Sequence, residues 1–196
     1  MITQKLRATK PEGRCIAPYF PAGFPQFPLS ESLIFMTQSF ATDSDAVDLL
    51  HADHLAVKNM FIEYQQLCGA GASGEEKREL AGRICQALTV HTQLEEEIFY
   101  PELREAIPAG ALLDGCEVQH DMAADLIAQI LGLGPHDDLY DARVTVLGEH
   151  VEHHVRRERE EIFVMARNSR LDLRAMAHEL NQRKVELLAE YQAEKA

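Results

Sequence analysis

The sequence predicts an all-α protein: an up-down-up-down four-helix bundle over residues 43–168, with a proline- and aromatic-rich arm before it and an extra helix after it. Three observations carry this. From Asp43 onward, apolar residues recur at steps of three and four, the period that places them on one face of a helix. Short glycine- and proline-bearing segments separate the periodic stretches where a chain would turn. No stretch of useful length alternates apolar and polar residues as a half-buried strand does.

Residues 1–42 hold five of the eight prolines, Pro11, Pro18, Pro21, Pro25 and Pro28. They forbid a continuous helix, yet the interleaved Tyr19, Phe20, Phe24 and Phe27 are too many for a solvated tail. The expectation is an arm packed over the bundle, with a subunit contact as the competing reading. The first helix, about 44–68, shows the stripe Leu50, His54, Val57, Phe61 and Tyr64. Gly69 to Gly74 reads as a loop, and Ser73 with Glu76 as a capping box opening the second helix, about 75–106. That helix presents Leu80, Ile84, Leu88, His91, Glu95 and Ile98 on one face. After Pro108 and Gly110 comes a third, about 111–132, with Leu113, Cys116, His120, Ala123, Ile127 and Ile130 aligned. Gly132, Gly134 and Pro135 make the next break, and Asp137 or Asp138 is a candidate cap for the fourth helix, about 138–167. Its stripe is Leu147, Val151, His154, Glu158, Ile162 and Met165. Ser169 with Asp172 suggests the cap of a charged fifth helix, within residues 169–196, packed outside the bundle or against a partner.

Each of the four stripes carries a histidine near its middle, and two continue as His-x-x-x-Glu: His91 with Glu95, and His154 with Glu158. Positions i and i+4 share a helix face, so each pair aims a nitrogen and an oxygen at one spot. The chain thus reads as two hairpins of the form His … His-x-x-x-Glu, and antiparallel neighbours bring the four levels together. An unpaired buried polar group costs roughly 2–7 kcal/mol, and a buried charge more. Cations relieve that cost. Mixed imidazole and carboxylate donors suit iron, manganese or zinc. Six donors, His54, His91, Glu95, His120, His154 and Glu158, are too many for one catalytic zinc and match two metals bridged by the glutamates.

Composition excludes other classes. At 196 residues, 46% hydrophobic and 26% charged, the chain suits one globular domain. A net charge of −13 argues against nucleic acid or anionic membrane surfaces as partners. No apolar run approaches the roughly 18 residues of a membrane span. The prolines break any signal-type segment, and Cys15, Cys68, Cys85 and Cys116 form no Cys-x-x-Cys pair. A cytoplasmic setting is the expectation.

These motifs resemble the hemerythrin-like HHE cation-binding family over about residues 44–167. The resemblance rests on Asp53-His54, on HTQLEEEIFYP from His91 to Pro101, on His120, and on VEHHVRREREEIF from Val151 to Phe163. It implies a four-helix bundle holding two iron ions with a bridging oxo or hydroxo group, zinc or manganese being substitutes. Both glutamates are implied as bridges and the six residues above as ligands. It further implies binding or sensing of dioxygen or nitric oxide; the chain itself offers no nucleotide loop or activated nucleophile, so a binding protein is expected ahead of an enzyme, and a homodimer is an expected assembly. Iron–sulfur cluster repair, oxidase chemistry and iron storage are the alternatives.

The chain departs from the oxygen carriers on the third helix, where Ala124 stands four residues after His120. It departs again at Glu158, where those proteins place an aspartate one residue further on. His51 and His150, each one turn before a candidate ligand, are candidates for a further ligand or a rim position. Tyr64 is a candidate hydrogen-bond donor to the site, against the plainer role of core aromatic. Glu96, Glu97, Glu160 and Glu161 read as solvated faces, and His136, His153 and His178 as surface residues.

Overall fold

The computed structural model describes residues 44–193, so the expected N-terminal arm lies outside them. The described chain is helical, with no strand among the described residues. Asp45 opens α1 (Ala46–Gly69) with a reciprocal cap: its carboxylate accepts from the Asp48 N–H, and the Asp48 carboxylate from the Asp45 N–H. Gly71, at φ 67°, supplies the left-handed turn after α1. Ser73 and Glu76 make the predicted capping box for α2 (Gly74–Leu94). A π-helical turn at Glu95–Phe99 follows, and the rod continues as α3 (Tyr100–Ala106).

After Ile107–Ala109 the chain reverses into α4 (Gly110–Gly132) and then α5 (Tyr140–Arg157). Asp137 does not cap α5 as expected; its carboxylate accepts from the Leu139 N–H in the preceding turn. A second π turn, Glu158–Ile162, joins α5 to α6 (Phe163–Asn168). Asp172 accepts from the Ala175 N–H at the start of α7 (Leu173–Ala193).

The two π turns change which residues face inward. The Tyr100 N–H bonds to the Glu95 carbonyl and the Phe163 N–H to the Glu158 carbonyl, each five residues back instead of four. One extra residue rotates the following helix by roughly 100°. The expected stripes through Ile98 and Met165 are therefore corrected. Phe99, Tyr100 and Leu103 are buried while Ile98 is half-buried. Phe163 and Ala166 are buried while Met165 is exposed.

α1 lies beside α2 and α5, and α4 beside α2 and α5, while α7 covers α1, α2 and the first π turn. The apolar interior is divided in two. One layer holds Leu50, Leu94, Phe99, Leu103, Leu113 and Ile162, with Met176, Leu180 and Leu187 of α7. The other holds Val57, Tyr64, Leu80, Ile84, Ile130, Val144 and Leu147. A polar level separates them. The far end of the second layer is tied by Asp141, which accepts from the Tyr64 hydroxyl at 2.8 Å and from Lys77 at 2.6 Å.

The Ser73 cap sits at the opposite end of α2 from His91, about 27 Å away along the helix. Ser73→Ala is expected to lower unfolding free energy by about 1 kcal/mol and to leave metal content unchanged. Paired urea titrations and metal analysis check both halves.

Candidate metal centre

Every donor singled out from sequence reaches the polar level between the two layers. His54 comes from α1, His91 from α2, His120 from α4 and His154 from α5. Glu95 and Glu158 are the first residues of the two π turns. The imidazoles are 5–6% exposed and both carboxylates 0%.

The ring nitrogens pair face to face: His54 Nε2 lies 2.9 Å from His91 Nε2, and His120 Nε2 3.1 Å from His154 Nε2. Glu158 Oε2 is 3.2 Å from His54 Nε2 and 3.4 Å from His154 Nε2. Glu95 Oε2 is 3.4 Å from His91 Nε2 and 3.3 Å from His120 Nε2. Each carboxylate thus touches one imidazole of either pair. Two groups of donor atoms converge closely enough to hold a cation: His54, His91, Glu95 and Glu158, and Glu95, His120 and His154.

The outward-facing nitrogens set the tautomers. Glu96 Oε1 can only accept, so His120 Nδ1–H donates to it at 2.9 Å and leaves Nε2 with its lone pair turned inward. Gln119 Oε1 lies 3.2 Å from His154 Nδ1 in the same way. Asp53 Oδ2 stands 3.9 Å from His91 Nδ1.

The aromatic surroundings repeat with one difference. Tyr100, five residues after Glu95, stacks on His120 at 5.6 Å; Phe163, five after Glu158, stacks on His54 at 5.6 Å. Only the tyrosine has a hydroxyl, and it donates to Glu158 Oε1 at 2.6 Å, with Glu95 Oε2 at 3.4 Å. The site is therefore symmetric in its donors and asymmetric in its proton.

Electrostatics show what the metal-free arrangement must do. Burial, then the neighbouring Glu158 charge, holds Glu95 well above the usual carboxylate range. Burial pushes Glu158 the same way, but His154 and hydrogen bonds from His154 and His54 outweigh it and hold Glu158 well below. Burial would lower His154, yet the Glu158 charge lifts it to about 9. Burial and His54 push His91 down to about 4. Without a cation, burial and the Glu158 charge push Glu95 toward its neutral form, and His154 pairs with Glu158 as an ion pair. Even so, His54 Nδ1, His91 Nδ1 and Glu95 Oε1 lack hydrogen-bond partners. An orphaned buried carboxylate oxygen, facing imidazole nitrogens and a mixed nitrogen–oxygen donor set fit cations.

A small cavity of ≈ 30 Å³ opens on the imidazoles from the side away from the carboxylates. Val57, Leu88, Ala123, Val151 and Val155 wall it, with Thr92, Gln119 and His150 as polar lining. His150 Nε2–H donates to the Gln119 carbonyl at 2.7 Å, so this ring lines the cavity and stands outside the donor groups. His51 is outside them too. Tyr64 bonds Asp141 at the far end instead of approaching the site. Glu96 is not simply a solvated face, because it holds His120, and Glu97 pairs with Arg183. Sequence reasoning missed Tyr100, Gln119 and the role of Asp53. For Tyr100 a signal existed: it and Phe163 occupy equivalent places in the two repeats.

A helical protein with a buried histidine–glutamate site able to hold metal is the class defined so far. The chain matches the hemerythrin HHE cation-binding domain over residues 45–166 and belongs to that family. It is also similar to a protein described as a DNA nickase from Nostoc sp. (strain PCC 7120 / SAG 25.82 / UTEX 2576), 31% identical over 127 residues. That match covers 65% of this chain and 35% of the relative's length. No solved structure matches the chain. No helix among the described residues is long and apolar enough to cross a membrane.

The low value for His91, about 4, fixes an acid response. The unfolded chain takes up that proton near pH 6.5, before the folded one does. The His91 contribution to the stability of the metal-free protein is therefore fully present above 6.5 and is lost between 6.5 and 4, by an amount on the order of 3 kcal/mol, while Glu95 and His154, both held above their usual values, act in the opposite sense. Denaturant midpoints of the wild-type and His91→Gln apoproteins compared across that range check it: the wild type is expected to lose more stability on acidification, and parallel profiles contradict it.

Proposed function

We propose that this is a non-heme di-iron protein that binds or senses dioxygen or a related small molecule such as nitric oxide. The single observation behind it is the pairing of four imidazoles with two fully buried carboxylates, each carboxylate in reach of both pairs. On this reading residues 43–168 are the metal-binding unit, an up-down-up-down four-helix bundle. His54 and His91 would hold one ion and His120 and His154 the other, with Glu95 and Glu158 supplying carboxylate oxygens to both. The iron pair, when bound, supplies reversible redox chemistry and an open position for a diatomic ligand.

The protein's own residues do the rest. Asp53, Glu96 and Gln119 face the outward nitrogens and orient the rings. Tyr100 holds a proton against Glu158. The apolar walls of the ≈ 30 Å³ cavity favour a small uncharged ligand over a larger or ionic one. The net charge of −13 disfavours contact with nucleic acid, so the relative's printed activity is not carried over.

An oxidase-type enzyme is the second reading, favoured by the Tyr100 hydroxyl, a hydrogen-bond donor placed at the carboxylates. Protein grown with iron is expected to contain about two iron atoms per chain and to change its near-ultraviolet spectrum between air and nitrogen. A reversible change supports binding or sensing; steady consumption of dioxygen or peroxide supports the enzyme. Absence of bound iron in such protein overturns both.

Loss of donors is expected to show as loss of metal. His91→Ala and Glu158→Ala should each bind less iron and melt at lower temperature, because metal binds only the folded form. Unchanged metal content in both variants would falsify the ligand assignment. Loading should also expel the proton held on His154, whose value is lifted to about 9. Metal added to apoprotein at pH 7 in weak buffer is expected to acidify it, and no acidification contradicts that charge state.

A further inference from the structure

α7 lies beyond the stretch that matches the family, residues 45–166. Its sequence is charged and offers no obvious donor, so its plain role is to cover α1 and α2. Two adjacent residues on it do more. Lys184 is only 8% exposed, and its ammonium is in direct contact with Asp53 Oδ1, itself on a residue 7% exposed. The other oxygen, Asp53 Oδ2, faces His91 Nδ1 at 3.9 Å. Arg183 holds Glu97, inside the π turn that begins with Glu95, through contacts of 2.6 and 3.3 Å. One turn of α7 therefore grips both the carboxylate behind His91 and the turn carrying Glu95.

A buried ammonium–carboxylate pair adds little net stability, since desolvation of both charges offsets their attraction. Packing alone does not explain its place. Its position also distinguishes the two halves of the centre: His120 is backed by Glu96 from the other hairpin and His154 by Gln119 of the neighbouring helix, and Lys184 is the only buried lysine or arginine among the described residues.

We propose that Lys184 is a positioning residue for the metal centre: it fixes Asp53 beside His91 and neutralises it, so that α7 sets the reduction potential of the bound iron pair. The inference rests on the di-iron reading above. An anionic Asp53 stabilises the oxidised, more positive pair, and the Lys184 charge opposes it. Removing either charge leaves the other uncompensated in a low-dielectric region.

The test is spectroelectrochemistry on the full-length, iron-loaded chain, with iron content measured alongside. Lys184→Met is expected to lower the potential and Asp53→Asn to raise it. Each shift should reach about tenfold in the oxidised-to-reduced equilibrium, ~59 mV for a one-electron couple. The double variant, which leaves no lone buried charge, should return near the wild-type value, and Lys184→Arg should restore it. Should Lys184→Met fail to fold, Asp53→Asn and the double variant still carry the comparison. Single variants that keep their iron but shift the same way, or not at all, overturn the inference alone. A wild-type protein without an iron pair overturns the functional reading and this inference together.

Discussion

Two carboxylates with no exposed surface, Glu95 and Glu158, stand amid four imidazoles whose nitrogens point at one another. Such a level is the least favourable thing a helical core can contain, because each group gives up water without an equal partner. The apolar residues respond by segregating into one layer on each side. Tyr100, Glu96 and Gln119 satisfy what they can reach. Within the site, Glu95 Oε1 and the outer nitrogens of His54 and His91 stay unsatisfied. The core is organised to tolerate a cost that cations remove.

The π turns are the local device that makes this geometry consistent with dense packing. Each begins at a carboxylate, so the α-helix delivers His91 and Glu95, or His154 and Glu158, to one face and then shifts register. The shift turns Tyr100 on one rod and Phe163 on the other, each five residues after a glutamate, into the core directly below the site. An uninterrupted helix would present Ile98 and Met165 there instead. π turns concentrate at functional positions because the displaced bonding is tolerated only where something compensates. Here the compensation is the stacking of Tyr100 on His120 and of Phe163 on His54.

Much of this was legible in the chain. The His … His-x-x-x-Glu repeat placed the six donors on helices, and the apolar period and the Ser73–Glu76 box placed the helices. The register shift was not legible, since EEEIF and EREEI read as ordinary amphipathic turns and their bonding depends on what packs below. Glu96 read as a solvated face and Gln119 gave no signal, because their partners sit on other helices, far away in sequence. Lys184 was hidden for the same reason: a lysine in a charged helix gives no sign that one turn of that helix reaches a buried aspartate. Local pattern specified the donors; tertiary contacts specified what holds them.

The central claim is that cations occupy the space between the facing nitrogens. Anomalous scattering from crystals of iron-grown protein, recorded on both sides of the iron edge, tests it most directly. The account predicts two iron peaks, one beside His54 and His91 and one beside His120 and His154, both within coordinating distance of Glu95 and Glu158. A map with no iron between those side chains, or with iron only at the acidic surface, contradicts it.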